Sequence, residues 1–128
     1  MIQRSHSIRD LAREFGITTR TIRFYEEAGM LNPSRDGTTR IYSDQDRVKL
    51  KLILRGKRLG FSLSESRELI DMYDPSSNNI KQIKALHDKI QQRREALQQQ
   101  LNDIRIMEKE LDEAEERCIA AIQELKRA

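Results

Sequence analysis

Residues 7–31, SIRDLAREFGITTRTIRFYEEAGML, decide how the rest of the chain is read. Ser7 followed three residues later by Asp10 is a capping-box start. Ile8, Leu11, Ala12 and Phe15 recur at helical spacing, which predicts a helix over about Arg9 to Glu14. Gly16 supplies a turn, since a residue without Cβ reaches positive φ without a clash. Thr18 is placed to cap a second helix, in which Ile22 faces inward while Thr19, Arg20, Arg23 and Tyr25 point outward, and Gly29 ends it. Helix, glycine turn and basic second helix is the plan of a helix-turn-helix, whose second helix enters the major groove of DNA. Any two amphipathic helices around a glycine share this pattern, so the assignment rests on what surrounds it.

A chain of 128 residues fits one domain, or a small domain with an extension. With 37% hydrophobic and 35% charged residues, no Trp and only three Phe and three Tyr, it does not fill a large core. Its +3 charge is unevenly spread: residues 1–60 hold 13 Lys and Arg against 7 Asp and Glu, a net +6, and residues 61–128 hold 11 against 14, a net −3. The basic half, which contains the helix-turn-helix, is the half suited to a polyanion. One cysteine excludes an internal disulfide, and two His with one Cys do not furnish a zinc site from one chain, so neither metal nor cofactor is expected. There is no phosphate-cradling glycine loop, no nucleophile with a base at motif spacing, and no apolar run of signal-peptide or membrane-spanning length. The expectation is a non-enzymatic protein of a reducing cytoplasm, with no membrane partner.

After Leu31, Pro33 and the Asp36-Gly37 pair are turn chemistry, and Arg40-Ile41-Tyr42 alternates as a short strand, which predicts a two-stranded wing. Arg35, Arg40 and Tyr42 are candidates for phosphate contacts; Tyr42 also suits a packing role, with ring inward and hydroxyl outward. Ser43 and Asp46 open a helix from Asp44 to about Leu59, with Val48, Leu50, Leu52, Ile53 and Leu59 apolar and Arg55, Lys57 and Arg58 near its end. Gly56 within it costs about 0.5–1 kcal/mol relative to Ala, which the close approach of another backbone, protein or DNA, would explain. Gly60 stops this helix and Phe61 plugs the core. Ser62 and Glu65 cap a further helix carrying Leu63, Leu69, Ile70, Met72 and Tyr73. The loop Asp74 to Asn78 marks the boundary between a DNA-binding domain, 1–75, and a dimerisation helix, 76–128.

The words TIRFYEEAGML, Arg40-Ile41-Tyr42 and RLGFSLSE, separated and in this order, resemble the MerR family of bacterial transcription regulators over Ser7 to about Asp112. LKLILRGKRLGFSLSE most resembles members controlling branched-chain amino-acid and acyl-CoA catabolism. The resemblance implies a mainly α fold, a winged helix-turn-helix followed by a long coiled-coil dimerisation helix. It gives Arg40 and Tyr42 a phosphate-binding role, and it makes the helix from Ser62 part of a second wing. Arg20 and Arg23 are then the base-reading candidates, and Tyr25, Arg40, Tyr42 and Lys57 the backbone candidates, with Thr19, Arg35 and Arg58 beside them.

From Asn79 onward there is no Gly, Pro or turn signal, so the sequence predicts one helix, about 70 Å long at 1.5 Å per residue. Ile83, Ile90, Leu97, Ile104, Leu111, Cys118 and Leu125 fall seven apart, with Leu101 on the flanking row, which marks a coiled coil and implies a partner helix, most simply in a homodimer. The resemblance implies that the pair is antiparallel. It also implies that the dimer binds a pseudo-palindromic promoter alongside RNA polymerase, activating or repressing by distorting the DNA, in response to an effector the sequence does not identify. The cysteine-bearing metal loop of metal-sensing members is missing. Two other readings stay open: a coiled-coil adaptor without sequence-specific DNA binding, and a thiol redox sensor acting through Cys118.

Overall fold

The computed structural model describes residues 4–128. The elements are β1 (Ser5–His6), α1 (Ile8–Phe15), α2 (Thr19–Glu27), β2 (Ser34–Asp36), β3 (Thr39–Ser43), α3 (Asp44–Arg58), α4 (Leu63–Asp71) and α5 (Ile80–Arg127). The fold is mainly helical, a winged helix-turn-helix followed by a long helix, and it divides into two compact units, one ending at Ile90 and the other Gln91–Ala128.

The caps anticipated from the sequence hold the ends of the short helices. Ser7 accepts from the Asp10 N–H at 3.0 Å and Thr18 from that of Thr21 at 3.1 Å, while Ser43 with Asp46 and Ser62 with Glu65 complete reciprocal capping boxes. At the end of α2 the Met30 N–H reaches the Tyr25 carbonyl and that of Gly29 the Glu26 carbonyl, both at 2.9 Å. This Schellman pattern needs a left-handed residue at position 29, and Gly29 has φ of 76°. The Arg67 guanidinium donates to the free Ala28 carbonyl just before it, tying α4 to the end of α2.

The wing departs from expectation. It belongs to a three-stranded antiparallel sheet of order β1-β3-β2, because Ser5 and His6 pair with Ser43 and Tyr42. A two-residue strand has no periodicity to read. His6 Nε2 meets Asp44 Oδ1 at 2.6 Å and the Arg4 N–H reaches Oδ2 at 3.2 Å, so the start of α3 holds β1 in place. The hydrogen bond from His6, followed by the Arg4 N–H, holds the Asp44 carboxyl below the usual carboxylate range.

Leu11, Ile22, Tyr25, Met30, Leu31, Tyr42, Leu50, Ile53 and Ile70 form one buried cluster drawn from α1 through α4. Asp46, itself buried, accepts from the Asn32 and Ser43 N–H groups at 3.1 and 3.2 Å, so the chain entering the wing and the start of α3 share one carboxylate. The loop after α4 closes on its own side chains: Asp74 accepts from Ser76, and Asn79, in the left-handed region at φ 58°, accepts from the Asp74 N–H at 2.7 Å. The first turn of α5 is bound to α4 by the buried Gln82 amide, which donates to the Leu69 carbonyl at 2.8 Å.

Gly56 is explained by side chains rather than by another backbone. A Cβ there would lie 2.8 Å from Ser66 Oγ and 3.3 Å from Phe61 Cδ2, so the glycine lets α4 and the Phe61 plug close against α3. Gly56→Ala gains up to about 1 kcal/mol of helix propensity but overpacks at a cost of about 1–3 kcal/mol. The expected net is a loss of about 1 kcal/mol in urea denaturation, recovered in part by Ser66→Ala, which removes the nearest atom. An undiminished midpoint in Gly56→Ala would contradict the packing account.

Candidate nucleic-acid interface

Helix α2 presents Arg20, Arg23, Phe24 and Glu27 outward, while Ile22 and Tyr25 face the core. Tyr25 is therefore not the outward residue the sequence suggested. It lies three positions after Ile22, on the same face, and is only 4% exposed. Burial raises its phenol above the ordinary value. Phe24 takes the exposed place instead, half accessible, with its ring edge-on to Tyr25 at 5.4 Å between centroids. Phe24 has a signal in the sequence too, an aromatic ring on the outward stripe of α2 with Arg20, Arg23 and Glu27. It walls a cavity of about 240 Å³ together with Lys57, Phe61 and Leu63. Arg20 and Arg23 enter no ion pair among the described residues, and Thr19 is half-buried.

Glu26 was not singled out from sequence, yet it joins α2 to the wing. Its Oε2 accepts from Arg40 Nε at 2.7 Å and from the Tyr42 hydroxyl at 3.2 Å, and its Oε1 from Arg35 Nη2 at 3.2 Å. Tyr42 thus has its ring fully buried, as packing required, but its hydroxyl is spent on Glu26 rather than turned outward. The two arginines differ in how tightly they are committed. Arg35 is 52% exposed, so its pair contributes about 0–1 kcal/mol. Arg40 is 26% exposed against a carboxylate at 16%, and serves first to position the wing.

On the other side of the motif, Arg47 Nε donates to Glu14 Oε1 at 2.9 Å and its guanidinium lies 5.9 Å from the Phe15 ring centroid. That hydrogen bond holds the Glu14 carboxyl below the usual range and raises Arg47. Lys57 and Arg58 are exposed at the end of α3 and enter no ion pair among the described residues. Among those residues no group of three or more His, Cys, Asp or Glu is placed to hold a metal ion, and no helix is long and apolar enough to cross a membrane.

Residues 6–73 match the family model described as MerR HTH family regulatory protein, and residues 47–114 the model MerR, DNA binding. The HTH-type transcriptional regulator ZntR of Escherichia coli K12 is 28% identical over 116 residues, 88% of this chain and 80% of ZntR. A MerR family transcriptional regulator from Bacillus cereus superposes with a TM-score of 0.64 at 26% identity, covering 86% of this chain and 79% of that one. HiNmlR, a MerR family regulator lacking the sensor domain and solved bound to promoter DNA, shares the fold with a TM-score of 0.58 at 24% identity, over 77% of this chain and 76% of its own.

Burial, and next the neighbouring Glu26 charge, push the Tyr42 phenol up to about 12 from an ordinary value of 10.0. The folded chain holds this proton more tightly than the unfolded one. Stability from the group is thus complete below pH 10 and lost as pH rises through about 12. Tyr42→Phe has no such proton, so its thermal midpoint should fall less steeply than wild type across that window. Parallel midpoints for the two proteins would refute the assignment.

Proposed function

The chain belongs to the MerR helix-turn-helix family of regulatory proteins and is a DNA-binding transcription regulator of that type, and from that premise we propose that it binds a pseudo-palindromic promoter as a homodimer and distorts the DNA to change its use by RNA polymerase. One observation carries this reading: Arg20 and Arg23 stand exposed on α2 and enter no ion pair among the described residues, beside a wing whose arginines already have a partner. A guanidinium free to make two parallel hydrogen bonds reads guanine O6 and N7. Arg20 and Arg23 read bases, while Arg35 and Lys57 hold the backbone. The duplex is bent or untwisted at a cost of several kcal/mol, offset by phosphate contacts that only the deformed DNA permits. HiNmlR, which was solved on promoter DNA, is a precedent for this fold on that ligand. The role involves no reaction chemistry, and it belongs to the bacterial cytoplasm, where promoter and polymerase meet. The functional division is 1–75 for DNA binding and 76–128 for dimerisation.

The dimer is an antiparallel pair of α5 helices. Along α5, Leu97, Leu101, Ile104 and Leu111 are each about half exposed or more, an apolar stripe that a lone helix leaves in water. Cys118, also exposed, continues the stripe as a small hydrophobe. Charge favours the antiparallel arrangement: residues 80–94 carry five Lys and Arg against one Asp, a net +4, and residues 108–116 carry six Asp and Glu against one Lys, a net −5. A parallel pair sets like on like, whereas an antiparallel pair crossing near Leu97 to Leu101 sets each basic segment against the partner's acidic one.

Arg23→Ala should lose about 1–3 kcal/mol of discrimination at one base position, measured by mobility shift on the duplex that the wild type selects from a random pool. An unchanged ratio of selected to random binding would remove Arg23 from the reading. Leu97→Asp with Leu101→Asp places repelling charge at the crossing point. Sedimentation should then show monomer, selected-site binding should be lost, and the far-UV signal of the first unit should be retained. A dimer in that variant contradicts the proposed pairing.

A further inference from the structure

A groove of about 140 Å³ lies between α3, α4 and the first turns of α5. Of its apolar residues, Phe61 and Leu69 are buried and Leu52 and Leu86 half-buried, while Leu59 and Ile83 remain 43% and 55% exposed. A cavity of about 150 Å³ with a similar lining of Leu, Ile and Phe stays dry and takes up benzene, so this groove suits a hydrocarbon group of that size or smaller. Two polar groups interrupt the apolar surface. Gln82 is buried, and its Nε2 donates to the Leu69 carbonyl at 2.8 Å, which fixes the amide and leaves Oε1 without a hydrogen bond among the described residues. Arg55 is exposed and enters no ion pair among those residues, and the groove is lined by no acid.

An apolar groove with an unpaired cation and an unused buried acceptor selects a ligand with three matching parts. The guanidinium calls for a planar anion, the amide oxygen for an N–H or O–H, and the walls for a hydrocarbon group. We propose that the groove binds a small carboxylic acid with a hydrogen-bond donor on its α carbon, an α-hydroxy or α-amino acid, whose side chain is no bulkier than benzyl. The carboxylate pairs with Arg55, the α donor serves Gln82 Oε1, and the side chain covers Leu59, Phe61 and Ile83. This ligand is distinct from DNA, and the site stands on residues that belong neither to α2 nor to the wing. Bound there, it braces the first turns of α5 against α3 and α4, and α4 is itself tied to the end of α2 through Arg67.

The test is calorimetric titration of the full chain, free of DNA, with phenyllactate and phenylalanine, and with two analogues that each lack one part: hydrocinnamate, without the α donor, and phenylpropanediol, without the carboxylate. At least one of the two complete acids should bind saturably at a single site per chain, and the tighter of them assigns the donor. Loss of the α donor should weaken binding about tenfold, because a buried acceptor is left unpaired, and loss of the carboxylate by about tenfold or more. Arg55→Gln should weaken the acid by about tenfold and leave the diol unchanged, a difference that a general disturbance of α3 would not produce. Leu59→Trp, which fills the groove from an exposed position, should abolish binding with the far-UV signal retained. Saturable binding of neither acid overturns the proposal and gives the groove to an apolar protein segment such as the partner's α5. Equal losses for acid and diol in Arg55→Gln, or binding that survives Leu59→Trp, overturn it as well by placing the ligand elsewhere. An undiminished affinity for hydrocinnamate removes Gln82 from the site and with it the α donor.

Discussion

The carboxylate of Glu26 is the joint on which the head of this protein turns. It leaves the last turn of α2 and receives Arg35, Arg40 and Tyr42 from the two strands of the wing. Helix α2 and the wing are thereby held in a fixed mutual orientation. A single acidic side chain achieves this because hydrogen bonds to a charged group contribute about 1.5–3 kcal/mol where water is partly excluded, against about 0.5–1.5 for a neutral one. The arrangement also grades the cations around the site. Arg40 is kept by the fold, Arg35 is paired but half exposed, and Arg20 and Arg23 enter no ion pair among the described residues.

Around that joint, a head with so few aromatic residues relies on precise closure rather than bulk. One buried cluster gathers side chains from α1 to α4, and at its edge a glycine in α3 lets Ser66 come closer than a Cβ would allow and Phe61 pack tightly beside it. Arg67 from α4 and Gln82 from the start of α5 each donate to a carbonyl at or near the end of the preceding packed helix, satisfying acceptors that helix geometry leaves open. Each of these donors is polar and reaches across elements. The head is therefore stitched by backbone-directed hydrogen bonds as much as by apolar contact.

The long helix follows the opposite logic. Its apolar stripe stays open to water while its charge runs from basic to acidic along its length, so the single chain leaves its own hydrophobic surface uncovered. Burial at about 25 cal/mol per Å² makes such a stripe costly to leave exposed. A partner with the reversed charge sequence is the simplest way to cover it, and a second copy running the other way has that sequence. In the proposed pair the two heads are related by a two-fold axis, and the DNA site they fit has the same symmetry.

The sequence by itself determined the elements: Ser7, Thr18, Ser43 and Ser62 mark four helix starts, Gly29 and Gly60 two ends, and the seven-residue repeat from Ile83 to Leu125 the long helix. These are local signals, set by backbone groups a few residues apart or by helical period, and they survive without knowledge of the fold. Only the tertiary structure decided why position 56 is glycine, that Ser5 and His6 add a strand, and that Glu26 gathers three donors. Those outcomes join residues 5 to 38 positions apart, and no helical or strand period encodes such pairings. Side chains that look free along the chain, such as Arg40, find partners only when packing brings them together.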